Sequence, residues 1–538
     1  MRRLITTCCI LLAGCAATPG DNGDPGGHAG HSMDAGGDPA AFLAPIPLYP
    51  AMTGPLTRPI STDSALAQAY FDQGLQLRYA YAVDAAARSF REAWRADPDC
   101  AICYWGEAWA LGSYLNGAKT VEKAPYALAA AENALARIDN ASPVERDLIE
   151  AIQVWHVADY DPATRRAEDQ AFADAMATVH AAWPDDLDVT AVYAAALFLL
   201  EPRRGTRDLD DPDVVRLHRV LEGALARDIT HPGACHLYIH ATESTVTPGL
   251  AAPCAERLGD AVPGASHLNH MPSHTFNEIG RWGDSVRANL QAWHSDQKAA
   301  AGLGVAIYEW HNLHMLLYAA SYDGQGAIAT RAGRDYAKLT GNTMYEVLTL
   351  VRFGRFDEIP AVAARPSDPA GGALWDFAQG YAALRNGDGA RAERLRDALL
   401  EFAATTDATF RFHPARHVVG PLAHILEGEI LRDRGELEAA IGAFEQAVAI
   451  EDEMAYDEPE PLPFDARHWL GAALLEAGRA ADAERVYREE LADHPHNGWS
   501  LHGLQAALAA QGETDPAVDA EFESSWARAD TWIRASRF

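Results

Sequence analysis

Nine of the chain's 21 histidines fall between His231 and His314, most of them at helical spacings. His236 and His240 are followed by Glu243; His267, His270 and His274 form a second group, and His311 and His314 a third. Imidazole is the commonest transition-metal ligand and titrates near neutral pH, so this grouping suits metal binding or proton transfer. At about 100° per residue, His236, His240 and Glu243 lie within roughly 40° of one another around a helix, and His267, His270 and His274 within roughly 60°. The His-Glu-x-x-His arrangement of thermolysin-like zinc proteases does not occur. Nor does a Ser/His/Asp elbow, a P-loop or a dinucleotide fingerprint.

The elements that position these residues must be helices, because the long apolar patterns carry the helical rather than the two-residue period. Tyr70, Gly74, Leu77, Ala86, Phe90, Ala93 and Pro98 resemble the tetratricopeptide (TPR) pattern. The pattern returns as Gly428, Leu431, Ala440, Phe444 and Ala447, then as Gly471, Leu474, Ala483, Tyr487, Glu490 and Pro495, with Trp499, Gly503 and Ala506 opening a last helix. The expected fold is all-α, a TPR-like right-handed solenoid of antiparallel helix hairpins. It covers residues 61–538, with the His-rich repeats at about 231–340. Residues 142–202 fit the period loosely and are expected to carry insertions.

In TPR proteins, the second, fifth, ninth and twelfth places of the first helix line the concave groove. Turns at Gly280-Arg281-Trp282 and Asp323-Gly324 set the register. The resemblance then implies that His236, His240, Glu243, His267, His270, His274, His311, His314 and Tyr318 share one groove. Neighbouring first helices sit ~8–10 Å apart, so imidazoles from two or three of them can meet at one ion with bonds of ~2.0–2.1 Å. His236, His240, His270 and His274 are the expected metal ligands. Glu243 is a further ligand or a catalytic proton acceptor, and His267, His311, His314 and Tyr318 are additional or supporting groups. Mixed His/Glu ligation suits Zn, Cu or Fe without selecting among them.

Aligned the same way, His468 takes a fifth place, Trp105 and Trp109 the fifth and ninth, and Arg78 the twelfth. The two tryptophans are expected to form a platform for a peptide or an apolar ligand. His417 and His424 either face the channel across the superhelix or cap and pack, and His413 and His417 flank Pro414 at a helix start. Glu458 and Glu460, in a Pro-rich loop, read as a solvated turn. The run His231-Pro232-Gly233-Ala234-x-His236-x-Tyr238-Ile239-His240-x-x-Glu243, followed by Ala265-x-His267-x-x-His270-Met271-Pro272-Ser273-His274, resembles a bacterial family of exported or lipid-anchored TPR proteins. That resemblance runs from about Leu66 to the end and implies the fold but no substrate. Two functions stay open: a metal-binding groove capable of metal-assisted chemistry, and a non-enzymatic scaffold for a peptide or envelope protein. The occupant of the groove is an unknown peptide, protein or small molecule.

The N-terminus speaks to compartment. Arg2 and Arg3 precede an apolar run, Leu4 to Leu12, too short to span a bilayer. Leu12-Ala13-Gly14-Cys15 resembles a bacterial lipobox, implying removal of residues 1–14 and acylation of Cys15. Ala16, in place of Asp, favours outer-membrane sorting, so the expected location is the cell envelope, lipid-anchored and facing the periplasm. Residues 15–60, rich in Gly, Asp and Pro, read as a flexible tether. Within it, His28, His31 and Met33 are soft, copper-friendly ligands in a low-complexity stretch.

A net charge of −32, from 44 basic and 76 acidic residues, argues against nucleic acid and against an anionic membrane surface as partners. With Cys8 and Cys9 in the leader and Cys15 lipidated, Cys100, Cys103, Cys235 and Cys254 remain, enough for two disulfides in an oxidising compartment. Cys100-Ala101-Ile102-Cys103 has no thioredoxin-like context and reads as a local bridge. Cys235 and Cys254 fall on facing helices and would staple that hairpin, contributing ~3 kcal/mol.

Overall fold

A computed structural model describes residues 39–202 and 205–538. Helices follow one another as antiparallel hairpins, from Ala65–Tyr79 with Val83–Ala96 to Gly498–Ala510 with Pro516–Ser525. Among the described residues the strands amount to one short antiparallel pair, Thr409–Phe410 with His413–Pro414. The chain is thus an all-α, TPR-like solenoid. Residues 142–202 also form helices, Pro143–Ile152, Arg165–Ala182 and Leu187–Phe198, with a long connection after Ile152 that accounts for the loose period.

Close packing explains the repeat. A Cβ on Gly74 would lie 2.8 Å from the Phe90 ring, and one on Gly471 2.4 Å from that of Tyr487. Each glycine lets the first helix of a hairpin settle on an aromatic ring of the second, and overfilling such a contact typically costs ~1–3 kcal/mol. Both expected disulfides are present, Cys100–Cys103 and Cys235–Cys254, with Cα atoms 5.5 and 5.1 Å apart.

The folded body starts earlier than residue 61. Phe42, Ile46 and Met52 are buried in the same core as the first hairpin. The Tyr49 and Gly54 amides donate to the Gln73 and Gln76 side chains at 2.7 and 2.6 Å, and the Gly264 amide donates to Met52 O at 2.9 Å. The tether boundary at residue 60 is therefore too late. A few apolar anchors spaced among Ala and Pro have no periodicity by which to recognise them. The leader, Cys15, His28, His31 and Met33 lie outside the described residues.

The superhelix curls until distant hairpins face each other. The Tyr79 carbonyl meets His236 at 2.6 Å, the Trp282 indole donates to Pro495 O at 2.9 Å, and the Tyr322 ring stacks on His494 at 4.7 Å. The C-terminal segment packs back against earlier hairpins: Arg528 pairs with Asp323 at 2.7 Å, Ser536 Oγ donates to His468 O at 2.6 Å, and Tyr381 donates to Phe538 O at 2.9 Å. The expected concave groove is narrowed by these contacts across the superhelix into a channel lined by buried side chains.

Candidate metal centre

Three hairpins deliver the histidines. The helix Pro232–Thr242 is started by His231, whose Nδ1 accepts from the Ala234 amide at 3.1 Å while Nε2 donates to Asp188 at 3.1 Å. His236 and His240 follow one turn apart, and Glu243 sits at the helix end. Pro272 splits the next segment into Ser266–His270 and Pro272–Glu278. Met271 between them keeps helical angles (φ −51°, ψ −35°), so His270 and His274 remain on one face. The helix Glu309–Tyr322 supplies His311.

The rings assemble into two adjoining groups of three, His236–His240–His267 and His270–His274–His311, each with its donor atoms within 4.8 Å of one another. Five of the six histidines are at most 3 % exposed, and His311 is half-buried. Nε2 of His236 lies 3.1 Å from Nε2 of His267, and Nε2 of His274 lies 3.1 Å from Nε2 of His270. The groups abut: the His240 and His274 rings are 5.6 Å apart between centroids, and the His267 and His270 rings 5.2 Å.

Hydrogen bonding fixes which nitrogens face inward. His236 Nδ1 donates to the Tyr79 carbonyl at 2.6 Å. His240 Nδ1 donates to Glu243 Oε1 at 2.9 Å, and His274 Nδ1 to Glu243 Oε2 at 2.6 Å. A carbonyl or carboxylate oxygen only accepts, so when His236 and His240 are neutral the proton sits on Nδ1 and Nε2 is the acceptor nitrogen. Burial pushes His236, His267 and His270 well below the ordinary histidine range, with neighbouring rings adding to the effect. Burial also opposes protonation of His274, but Glu243 and Glu458 outweigh it and hold that ring at about 9. Burial and the Glu458 carboxylate push Glu243 up to about 7 against the pull of His274.

Glu458 is a residue that sequence reasoning missed. The loop carrying it is no solvated turn: Asp457 and Glu458 are buried, and Glu458 Oε2 reaches His274 Nδ1 at 3.5 Å. The strand pair anchors the loop. Arg411 donates to Pro459 O at 2.9 Å and to Glu458 O at 3.0 Å, and His413 Nε2 bonds Asp457 Oδ2 at 3.1 Å. These partners are separated from the loop by more than forty residues, so no local spacing announces them.

Tyr81 and Tyr308 were also illegible. Both adopt left-handed backbone angles (φ 59° and 58°), uncommon for bulky residues and concentrated at functional sites. Tyr81 packs against His236 at 4.3 Å and stacks on His267 at 5.5 Å, Tyr308 meets His267 edge-on at 5.0 Å, and Tyr114 and Tyr308 share a 3.0 Å hydroxyl contact.

Other expected groove residues go elsewhere. His314 stacks on Tyr345 at 4.1 Å and belongs to neither triad, because its place in the turn points it at the first helix of the next hairpin, Met344–Arg352. His267 and His311, expected only in support, are full members of the triads. Trp105 and Trp109 form no ligand platform; they are buried, stacked at 5.4 Å, with the Arg78 guanidinium 4.6 Å above Trp109. His417 and His424 pair with Glu453 and Glu427 away from the centre. His468 is fully buried beside Glu490 and Asn497.

A cavity of about 320 Å³ adjoins the second triad, its wall shared by His274, Glu458 and Tyr318. Glu278, Glu451, Asp452, Asp457, Glu460, Asp465 and Asp493 also line it, with Arg467 and His494 as the nearby cations.

No protein-family model and no curated protein matches the chain. Among solved structures it is similar to a human IFIT1 dimer with m7Gppp-AAAA (10 % identity, 80 % of this chain and 90 % of that one, TM-score 0.30). It is also similar to yeast Tom70 (12 %, 85 % and 99 %, TM-score 0.32) and to the P58(IPK) TPR domain (10 %, 83 % and 98 %, TM-score 0.21). At these scores the likeness carries nothing about the site, and the fold assignment stands on the hairpin packing itself.

Proposed function

We propose that the six histidines hold two transition-metal ions, one per triad, and that the protein is a metal-dependent enzyme acting on a small molecule that enters the acidic chamber. The observation that carries this reading is the convergence of six imidazoles into two adjoining triads, in which His236 and His240 spend Nδ1 on fixed acceptors and so turn Nε2 toward the neighbouring rings. Two nitrogens bonded to one ion at ~2.0–2.1 Å stand roughly 3.0–3.4 Å apart, and the Nε2 pairs lie at 3.1 Å. Bound metal would supply Lewis-acid or redox chemistry at the chamber wall. The chain's own part is to orient the rings through Tyr79 O and Glu243 and to exclude bulk water. Glu458 holds or accepts a proton at the edge of the cavity.

A cavity of this size suits a small ligand rather than a peptide, which favours the metal reading over the scaffold reading. The lipobox resemblance supports an envelope membrane as the location; a Cys15→Ser chain released from the membrane fraction would support that part. Elemental analysis tests the centre. The purified protein is expected to hold two equivalents of a transition metal at the triads. His240→Ala and His274→Ala should each remove about one, with helical circular dichroism retained. Metal content unchanged in the double variant would sink the proposal.

A further inference from the structure

A second set of ligand-type side chains adjoins the same chamber, with Asp465 and His494 in its lining. Asp465, Glu490 and His494 bring one donor atom each to within 4.8 Å of the others, all buried. They come from the segment preceding the helix Arg467–Glu476 and from the end of the helix Ala480–Asp493, far in sequence from the histidine triads. His494 Nδ1 is 3.1 Å from Glu490 Oε1 and 4.0 Å from Asp465 Oδ2. Glu490 Oε2, also buried, makes no hydrogen bond.

The other ring nitrogen of His494 is engaged, with Glu460 Oε2 at 3.3 Å and the Tyr322 hydroxyl at 3.4 Å from Nε2. Glu460 thereby orients the ring so that Nδ1 faces Glu490 and Asp465, as Glu243 orients His240 and His274. Glu490 is braced in turn: Asn497 Nδ2 donates to its Oε1 at 2.6 Å, and His468 Nε2 lies 3.5 Å away. Charge points the same way. Asp465, Glu490, Glu460 and Glu451 cluster here, with the guanidiniums of Arg467, whose Nη1 is 3.6 Å from Asp465, and of the buried Arg352 as the cations beside them. Carboxylates withdrawn from water require compensation, and a bound cation provides it.

We infer that Asp465, Glu490 and His494 form a separate divalent-cation site, filled from the chamber, with Glu460 as the positioning residue for His494. Two carboxylates and one imidazole select Zn²⁺, Mn²⁺ or Fe²⁺ over Cu⁺. The inference does not depend on the histidine triads holding metal.

The test uses the full chain carrying His240→Ala and His274→Ala, stripped of metal, dialysed against Zn²⁺ or Mn²⁺ and analysed for bound metal. The expected result is one equivalent of at least one ion, lost on adding Asp465→Asn or Glu490→Gln. Asp465→Asn keeps the Oδ1 that accepts from the Arg467 amide at 2.6 Å, so it preserves the local fold, and circular dichroism checks that. No bound ion in either dialysis would make the cluster a buried imidazolium–carboxylate pair and overturn the site. An equivalent that survives both substitutions would place the ion among the remaining histidines and overturn it too. Failure of the triad reading shows separately, as metal content unchanged between the parent chain and the double-alanine background.

Discussion

Glu243 is bonded to two imidazoles of different triads through its two oxygens, so one side chain orients a ring on both sides of the centre. Glutamine is nearly isosteric but offers one acceptor; its amide would face a second Nδ1–H and force that ring to turn or to move its proton. Loss of a ligand-orienting carboxylate typically costs 10–100-fold in metal affinity. Glu243→Gln is therefore expected to weaken both ions by about that factor without loss of helix, read by competition with a chromophoric chelator. Unchanged affinity would assign Glu243 to packing alone. At this scale, the histidine spacings were enough to nominate the centre. They could not rank its members, since His311 and His314 share a helix and only His311 turns inward.

At the scale of elements, the loop bearing Glu458 matters most. It owes its place to the short strand pair, through Arg411 and His413, rather than to any periodicity of its own. Hydrogen bonds involving a charged partner contribute about 1.5–3 kcal/mol each, and Arg411 makes two of them to loop carbonyls besides its 2.9 Å pairing with Asp457. In Arg411→Ala, amide hydrogen exchange across residues 455–462 should accelerate on the order of tenfold or more, because each tenfold corresponds to about 1.4 kcal/mol. The hairpins on either side should exchange as before. If the loop exchanges at the parent rate, its anchor lies elsewhere.

For the whole molecule, curling of the solenoid narrows a groove into a channel, and burial of titratable groups follows. His156 is an example outside the histidine triads: burial, and then the Lys119 ammonium, push it down to about 3. In the unfolded chain a histidine titrates near ~6.5. Below that pH the unfolded state binds a proton that the folded state refuses, so this group's contribution to stability falls as pH drops from about 6.5 towards 3. Melting temperatures of the metal-free protein between pH 7.5 and 4.5 should decline, and less steeply in His156→Gln, which cannot titrate. Equal slopes for the two proteins would mean that His156 is solvated in solution.

The small–aromatic repeat is local, so the sequence by itself determined the all-α hairpin solenoid, its turns at Gly280 and Gly324, and both disulfide pairs. Helical spacing also determined that His236 and His240, and His270 and His274, would share faces, even across the break at Pro272. Tertiary structure alone decided that the groove narrows to a channel, since the narrowing depends on small rotations added hairpin by hairpin and on contacts such as Trp282 with Pro495 that span more than two hundred residues. It alone decided that Glu458 reaches His274, that Tyr81 and Tyr308 cover the first triad, and that Trp105 and Trp109 pack inward. A repeat pattern records how each hairpin meets its neighbour. What faces what across the interior is set by the accumulated curvature, which no single repeat encodes.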